Sequence, residues 1–121
     1  MRIFKNKAFH RWAKEVQLSD ADLKIAVDEI GSGLYEANLG GNIYKKRIAL
    51  EGRGKSSGAR TIVAFKADKN TFFVYGFAKN VRSNISEQEE GALKKLAKIY
   101  FSFSDVELAK AVHAGLLFEV K

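Results

Sequence analysis

A chain of 121 residues, 46% hydrophobic and 29% charged, has the composition of one ordinary folded domain, and no apolar stretch approaches the ~20 residues that span a bilayer. With no cysteine it has no disulfide framework, thiolate nucleophile or thiolate metal site, and His10 and His113 are too far apart in sequence for a local metal motif. The net charge of +7 is concentrated: residues 42–82 hold ten Lys/Arg against only Glu51 and Asp68, while the rest of the chain holds eleven basic and twelve acidic residues.

In chain order, Arg2–Phe4 reads as a short strand, and Lys7–Glu15 as a helix with Phe9, Trp12, Ala13 and Val16 on one face. The opening MRIFKNKAFHRWAKE is too polar for a signal peptide, so a cytoplasmic chain is expected. Ser19 with Asp22 forms a capping box for a second helix, whose apolar face is Leu23, Ala26, Val27 and Ile30 and whose stop is Gly31 and Gly33. The two helices together predict an αα-hairpin with one apolar face. Residues 43–50, 60–66 and 71–77 then read as strands, the last two joined by the polar loop ADKN. Their nearly continuous apolar character predicts strands covered on parts of both faces. Strict alternation puts Phe73, Tyr75, Phe77 and Lys79 on one face of the last strand, and Phe72, Val74, Gly76 and Ala78 on the other. Ser86 with Glu89, and Ser104 with Glu107, announce two further helices. After Gly115, LLFEV suits a final strand. This order predicts a single α+β domain over 1–121, an N-terminal αα-hairpin packed on a small twisted antiparallel sheet and followed by C-terminal helices.

Several enzyme classes are excluded by what is missing: there is no GxSxG, HExxH or paired-acid motif. The segment EGRGKSSGAR at 51–60 superficially suggests a nucleotide-binding phosphate loop, but that motif leads into a helix and here a strand follows. Two readings of the loop stay open. Its glycines can let backbone N–H groups and the side chains of Arg53 and Lys55 approach a polyanion, with Arg47 and Arg60 on the flanking strands. Equally, a Gly/Ser hairpin loop with a charged tip is a common way to keep a sheet edge from aggregating. The charge block likewise suits either a polyanion-facing patch or a solvated, lysine-rich sheet face.

The run KKRIALEGRGKSSGARTIVAF followed by FFVYGFAKNVRSNIS resembles the RelE/HigB-like toxins of bacterial type II toxin–antitoxin systems, within the RelE/ParE superfamily. The shared pattern is a basic strand, then G-x-G-K-x-x-G-x-R leading into an apolar strand, then an aromatic strand ending in G-x-x-K. The opening RIFKNKAFHRWAKE is also similar to the family's start; residues 104–121 lie outside the resemblance, as a C-terminal extension. The resemblance implies a small α+β fold and an mRNA endonuclease that acts in the ribosomal A site and inhibits translation. It also implies a cognate antitoxin that covers the basic face, and neither cofactor nor metal. RNA supplies its own nucleophile, the 2′-hydroxyl, so the protein needs a proton acceptor, cations on the phosphate and a proton donor. Arg60, Lys55 and Lys79 are the implied catalytic residues, with Arg60 on the scissile phosphate; Lys45, Lys46, Arg47, Arg53 and Arg82 are the implied contacts to messenger and ribosomal RNA.

The chain departs from the pattern where some members carry an arginine and a catalytic tyrosine, having Asn80 and Ser86 there instead. Neither histidine falls in the motif region, where many HigB-like members use one; both read as structural or exposed. That leaves Tyr75 and Glu51 as proton-acceptor candidates. Two other readings remain: a ParE-like inhibitor of DNA gyrase that cuts nothing, and a non-enzymatic nucleic-acid-binding module.

Overall fold

The computed structural model describes residues 1–50 and 58–121. Its elements are β1 (Ile3–Asn6), α1 (Lys7–Val16), α2 (Asp20–Gly31), β2 (Ala37–Gly40), β3 (Ile43–Ile48), β4 (Ala59–Ala64), β5 (Thr71–Ala78), α3 (Glu87–Phe101), α4 (Asp105–His113) and β6 (Leu117–Glu119). The expected capping boxes form at Ser19, Ser86 and Ser104, each hydroxyl accepting from the third backbone N–H of its helix while the acid there reaches back. α1 starts on Asn6, whose side-chain oxygen accepts from Phe9 N–H at 2.8 Å and whose amide donates to the Val74 carbonyl at 2.9 Å. One buried residue thereby caps a helix and ties it to a strand.

All six strands form one sheet in the order β2-β3-β4-β5-β1-β6. This corrects the expectation of a small antiparallel sheet: β1 inserts between β5 and β6 and pairs with β5 in parallel, so the sheet is mixed. The first and last strands of the chain meet there, with Val120 N–H donating to the Ile3 carbonyl at 2.8 Å. β2 was not foreseen, because Ala-Asn-Leu-Gly carries no strand pattern; it is held by its pairing to β3 through a turn in which Gly40, Gly41 and Asn42 all have positive φ. The expected N-terminal αα-hairpin is not seen as such. α1 packs chiefly on β5 and α2 on β3, so the two helices spread across the sheet.

Apolar side chains fill both sides of the sheet. On one side Phe9, Ala13, Leu23, Val27 and Ile30 of α1 and α2 pack on Ile48, Ala59, Val63 and Phe73. On the other, Ala97, Leu108 and Ala111 of α3 and α4 pack on Phe4, Ile43, Ile62, Phe72 and Val74.

Strict alternation fails in β5. Ile62 pairs with Tyr75 and Val63 with Phe73, so β5 carries one extra residue, a β-bulge. Beyond it the faces swap. Tyr75 joins Phe72 and Val74 on the α3 side instead of sharing Phe73's face. Gly76 turns toward α1, where a Cβ would come within 2.2 Å of the Trp12 ring.

Candidate nucleic-acid interface

The bulge decides what stands beside what at the end of the sheet nearest the glycine-rich loop. Two adjacent cross-strand rows form there. Arg47 pairs with Arg60 and Arg60 with Phe77; one row back, Lys45 pairs with Ile62 and Ile62 with Tyr75. Side chains directly opposite across strands sit about 4.5–5.5 Å apart at Cβ, so each row is a set of immediate neighbours. Because β4 alternates regularly and Ile62 faces α3, Lys45, Arg47 and Arg60 share that face with Tyr75.

Arg82, in the segment after β5, completes the cluster. Its guanidinium carbon lies 5.9 Å from the Tyr75 ring centre and 5.8 Å from that of Phe77. Its Nη1 donates to the Tyr75 hydroxyl at 3.1 Å, and its Nη1 and Nη2 donate to the Glu89 carboxylate at 3.0 and 2.6 Å. This fork holds Glu89 down at about 2, chiefly through the Arg82 hydrogen bonds and then through the backbone N–H of Ser86. Arg82 is correspondingly raised by Glu89 and then Tyr75. Glu89 is therefore a fixed anion and a poor proton acceptor near neutral pH.

Arg60 is held differently. It is only 4% exposed, with Nε donating to Glu36 at 3.2 Å. Lys45 Nζ reaches the same carboxylate at 3.5 Å. Glu36 stands where it does because its own N–H donates to the Lys45 carbonyl at 2.8 Å, extending the β2–β3 pairing. Nη1 of Arg60 is buried and has no hydrogen-bond acceptor among the described residues. Leaving a buried donor unsatisfied costs about 1–3 kcal/mol, so this nitrogen is a ready donor for an added anion.

Lys45, Arg47 and Arg60 thus share one face, Arg82 rests on the Tyr75 and Phe77 rings beside them, and Lys79 is exposed just past β5. Lys46 does not join them: it points to the opposite face, where its Nζ meets Glu29 of α2 at 3.1 Å. Arg53, Lys55 and Glu51 lie outside the described residues. Glu36 and Glu89 were missed from sequence. Glu89 was legible only as a capping residue, and Glu36 is 24 positions from Arg60 with no local pattern to mark it. His10 stacks on Phe118 with ring centres 3.7 Å apart, and burial, then Lys5 and Lys14, lower its pKa. His113 is exposed in the last turn of α4. Among the described residues no three His, Cys, Asp or Glu side chains cluster as metal ligands, and no helix is long and apolar enough to cross a membrane.

Comparison with models of known families matches residues 1–120 to the RelE toxin of the RelE/RelB toxin–antitoxin system. The chain belongs to the RelE toxin family. It is accordingly a toxin of a toxin–antitoxin system, and the family implies an antitoxin partner. The match takes in α4 and β6 as well as the motif region. No curated protein matches the chain at a significant level. In this RelE-family toxin strand register puts Lys45, Arg47 and Arg60 on one face, with the Glu36 carboxylate against Lys45 and Arg60.

Proposed function

We propose that this RelE-family toxin is a metal-independent endoribonuclease that cleaves messenger RNA on the ribosome, in the cytoplasm, and is neutralised when its antitoxin covers the cationic rows. The observation that carries this reading is the pair of rows bearing Lys45, Arg47 and Arg60 beside Tyr75, Phe77 and Arg82. Phosphate suits the planar forks of arginine, and the aromatic rings suit bases.

In this reading the RNA 2′-hydroxyl gives its proton to water as its oxygen attacks the neighbouring phosphorus, a 2′,3′-cyclic phosphate forms as the P–O5′ bond breaks, and negative charge accumulates on the phosphate on the way. Arg60 receives that charge through Nη1, the nitrogen without an acceptor among the described residues, while Glu36 keeps Nε in position. Because Nη1 is covered, the phosphate reaches it by displacing its cover. Lys55 and Lys79 supply further positive charge, and Lys45, Arg47, Arg53 and Arg82 hold the flanking backbone; Lys46 braces β3 on α2 instead. The Tyr75 hydroxyl accepts from Arg82, which leaves its own proton free to be given to the departing 5′-oxygen.

The test is to induce the toxin without antitoxin, sequence RNA 5′ ends, and assay DNA supercoiling in parallel. New message ends that vanish in Arg60→Ala, with supercoiling untouched, are expected. Intact messages with altered supercoiling would overturn the reading in favour of a ParE-like gyrase inhibitor. One observation favours that second reading: Arg60 is buried against a carboxylate instead of standing open to substrate.

A further inference from the structure

Beside the two rows lies a cleft that shares Tyr75 and Arg82 with them and has a further wall of its own. β1 pairs with β5 only at Thr71, Phe72 and Phe73, and the Asn6 amide takes the Val74 carbonyl. The chain then turns into α1, so from Tyr75 to Ala78 no described strand pairs with β5 on that side. The gap is a cleft of about 470 Å³ whose lining includes Trp12, Tyr75, Gly76, Phe77, Val81 and Arg82. Trp12 forms one wall, its six-membered ring lying directly over the bare backbone of Gly76. Val81, an apolar side chain left 80% exposed, belongs to the same lining.

Three features select the occupant. The cleft wraps the strand edge and offers aromatic rings to a planar solute, Trp12 from the α1 face of the sheet and Tyr75 and Phe77 from the α3 face. A strand edge without a partner strand offers backbone N–H and C=O groups that can read a donor–acceptor pattern, the Ala78 carbonyl excepted because it already accepts from the Val81 and Arg82 N–H groups. The cleft is also continuous with the cationic rows, because Phe77 faces Arg60 across β4–β5 and Arg82 borders both. We propose that this cleft receives one unstacked nucleobase of an RNA strand whose phosphates lie on the rows bearing Arg47, Arg60 and Arg82. The proposal rests on the RNA-directed reading above and adds to it a base subsite, with Trp12 as the stacking wall and the Tyr75–Ala78 edge as the reader. An adding peptide strand is the poorer fit, because pairing with the edge alone makes no use of the aromatic rings in the lining or of the cations that adjoin it.

Trp12 is the chain's only tryptophan and lines the cleft, so its fluorescence senses what enters there. The full chain is titrated with a single-stranded oligoribonucleotide carrying 2′-O-methyl sugars, which cannot be cleaved through the 2′-oxygen, and separately with ribose 5-phosphate. The oligonucleotide is expected to quench Trp12 over the same concentration range in which anisotropy reports binding, while ribose 5-phosphate leaves the fluorescence unchanged. Val81→Glu, at an exposed position, is expected to keep the native circular dichroism, weaken oligonucleotide binding about tenfold and abolish the quench. Binding by anisotropy with unchanged Trp12 fluorescence overturns the base subsite, leaves the edge to a peptide strand and spares the RNA-directed reading. Equal quenching by ribose 5-phosphate overturns it as well, since a phosphate alone is then sufficient. If no oligonucleotide binds at all, the RNA-directed reading fails and the subsite with it.

Discussion

The α3-side face of the sheet is one surface with two unlike ends, built from the same three strands. At the covered end, Ile43, Ile62, Ala64, Phe72 and Val74 lie beneath α3 and α4. At the open end, a residue or two further along each strand, Lys45, Arg47, Arg60, Phe77 and Tyr75 meet Arg82. What differs is whether a helix lies on top. Under the helices, apolar area removed from water stabilises the fold. Beyond them, Glu36 offsets the charge of the buried Arg60 and Glu89 that of Arg82, while the half-buried Arg47 and Arg82 keep some contact with solvent.

The comparison is broken most forcefully at its covered end. Phe72→Ala removes a fully buried ring stacked on Phe4 and Tyr100 and should cost about 3–5 kcal/mol in denaturant unfolding. The fraction still folded should bind single-stranded RNA with unchanged affinity; a matching loss of affinity would mean the two ends are not separable.

Within the open end the contrast sharpens between neighbours in sequence. Arg47→Ala should lower the slope of log affinity against log salt by about 1, as expected for one lost phosphate contact. Lys46→Ala, on the other face and paired with Glu29, should leave that slope unchanged and affect only stability. Equal slopes for the two variants would show that binding follows the charge block as a whole and not the face.

The smallest effect is the pH response of the Arg82–Glu89 clamp. Glu89 is depressed from its ordinary 4.5 to about 2, so its contribution is fully present above pH 4.5 and is lost as pH falls toward 2. Stability should decline across that window by a margin that Glu89→Gln removes, checked by urea unfolding at successive pH values. A variant that retains the same acid dependence would show that other carboxylates carry it.

Much of this fold could be read locally. Ser19, Ser86 and Ser104 each satisfy a helix start with an acid three positions on, so those boundaries need no distant partner. The strands β4 and β5 announced themselves by β-branched and aromatic runs, while β3 lies in a segment of mixed character, IYKKRIAL. β2 did not, because its stability comes from β3 and not from its own four residues. The bulge in β5 was also hidden: nothing in TFFVYGFA says which residue is the extra one, yet it moves Tyr75 and Gly76 to opposite faces from those that alternation assigns.

The candidate site divides in the same way. Sequence order alone determined that one third of the chain carries the excess positive charge, that arginines flank a glycine-rich loop, and that this pattern resembles a toxin family. Those are properties of neighbouring residues and of composition, which survive without a fold. Only the tertiary structure decided that Lys46 leaves the group, that Glu36 holds Arg60 by Nε with Nη1 unsatisfied among the described residues, and that Trp12 faces a strand edge left open where β1 gives way to α1. Each of these depends on strand register and on contacts between residues far apart in the chain, and register is settled by which faces bury the most apolar area, a quantity no single segment contains.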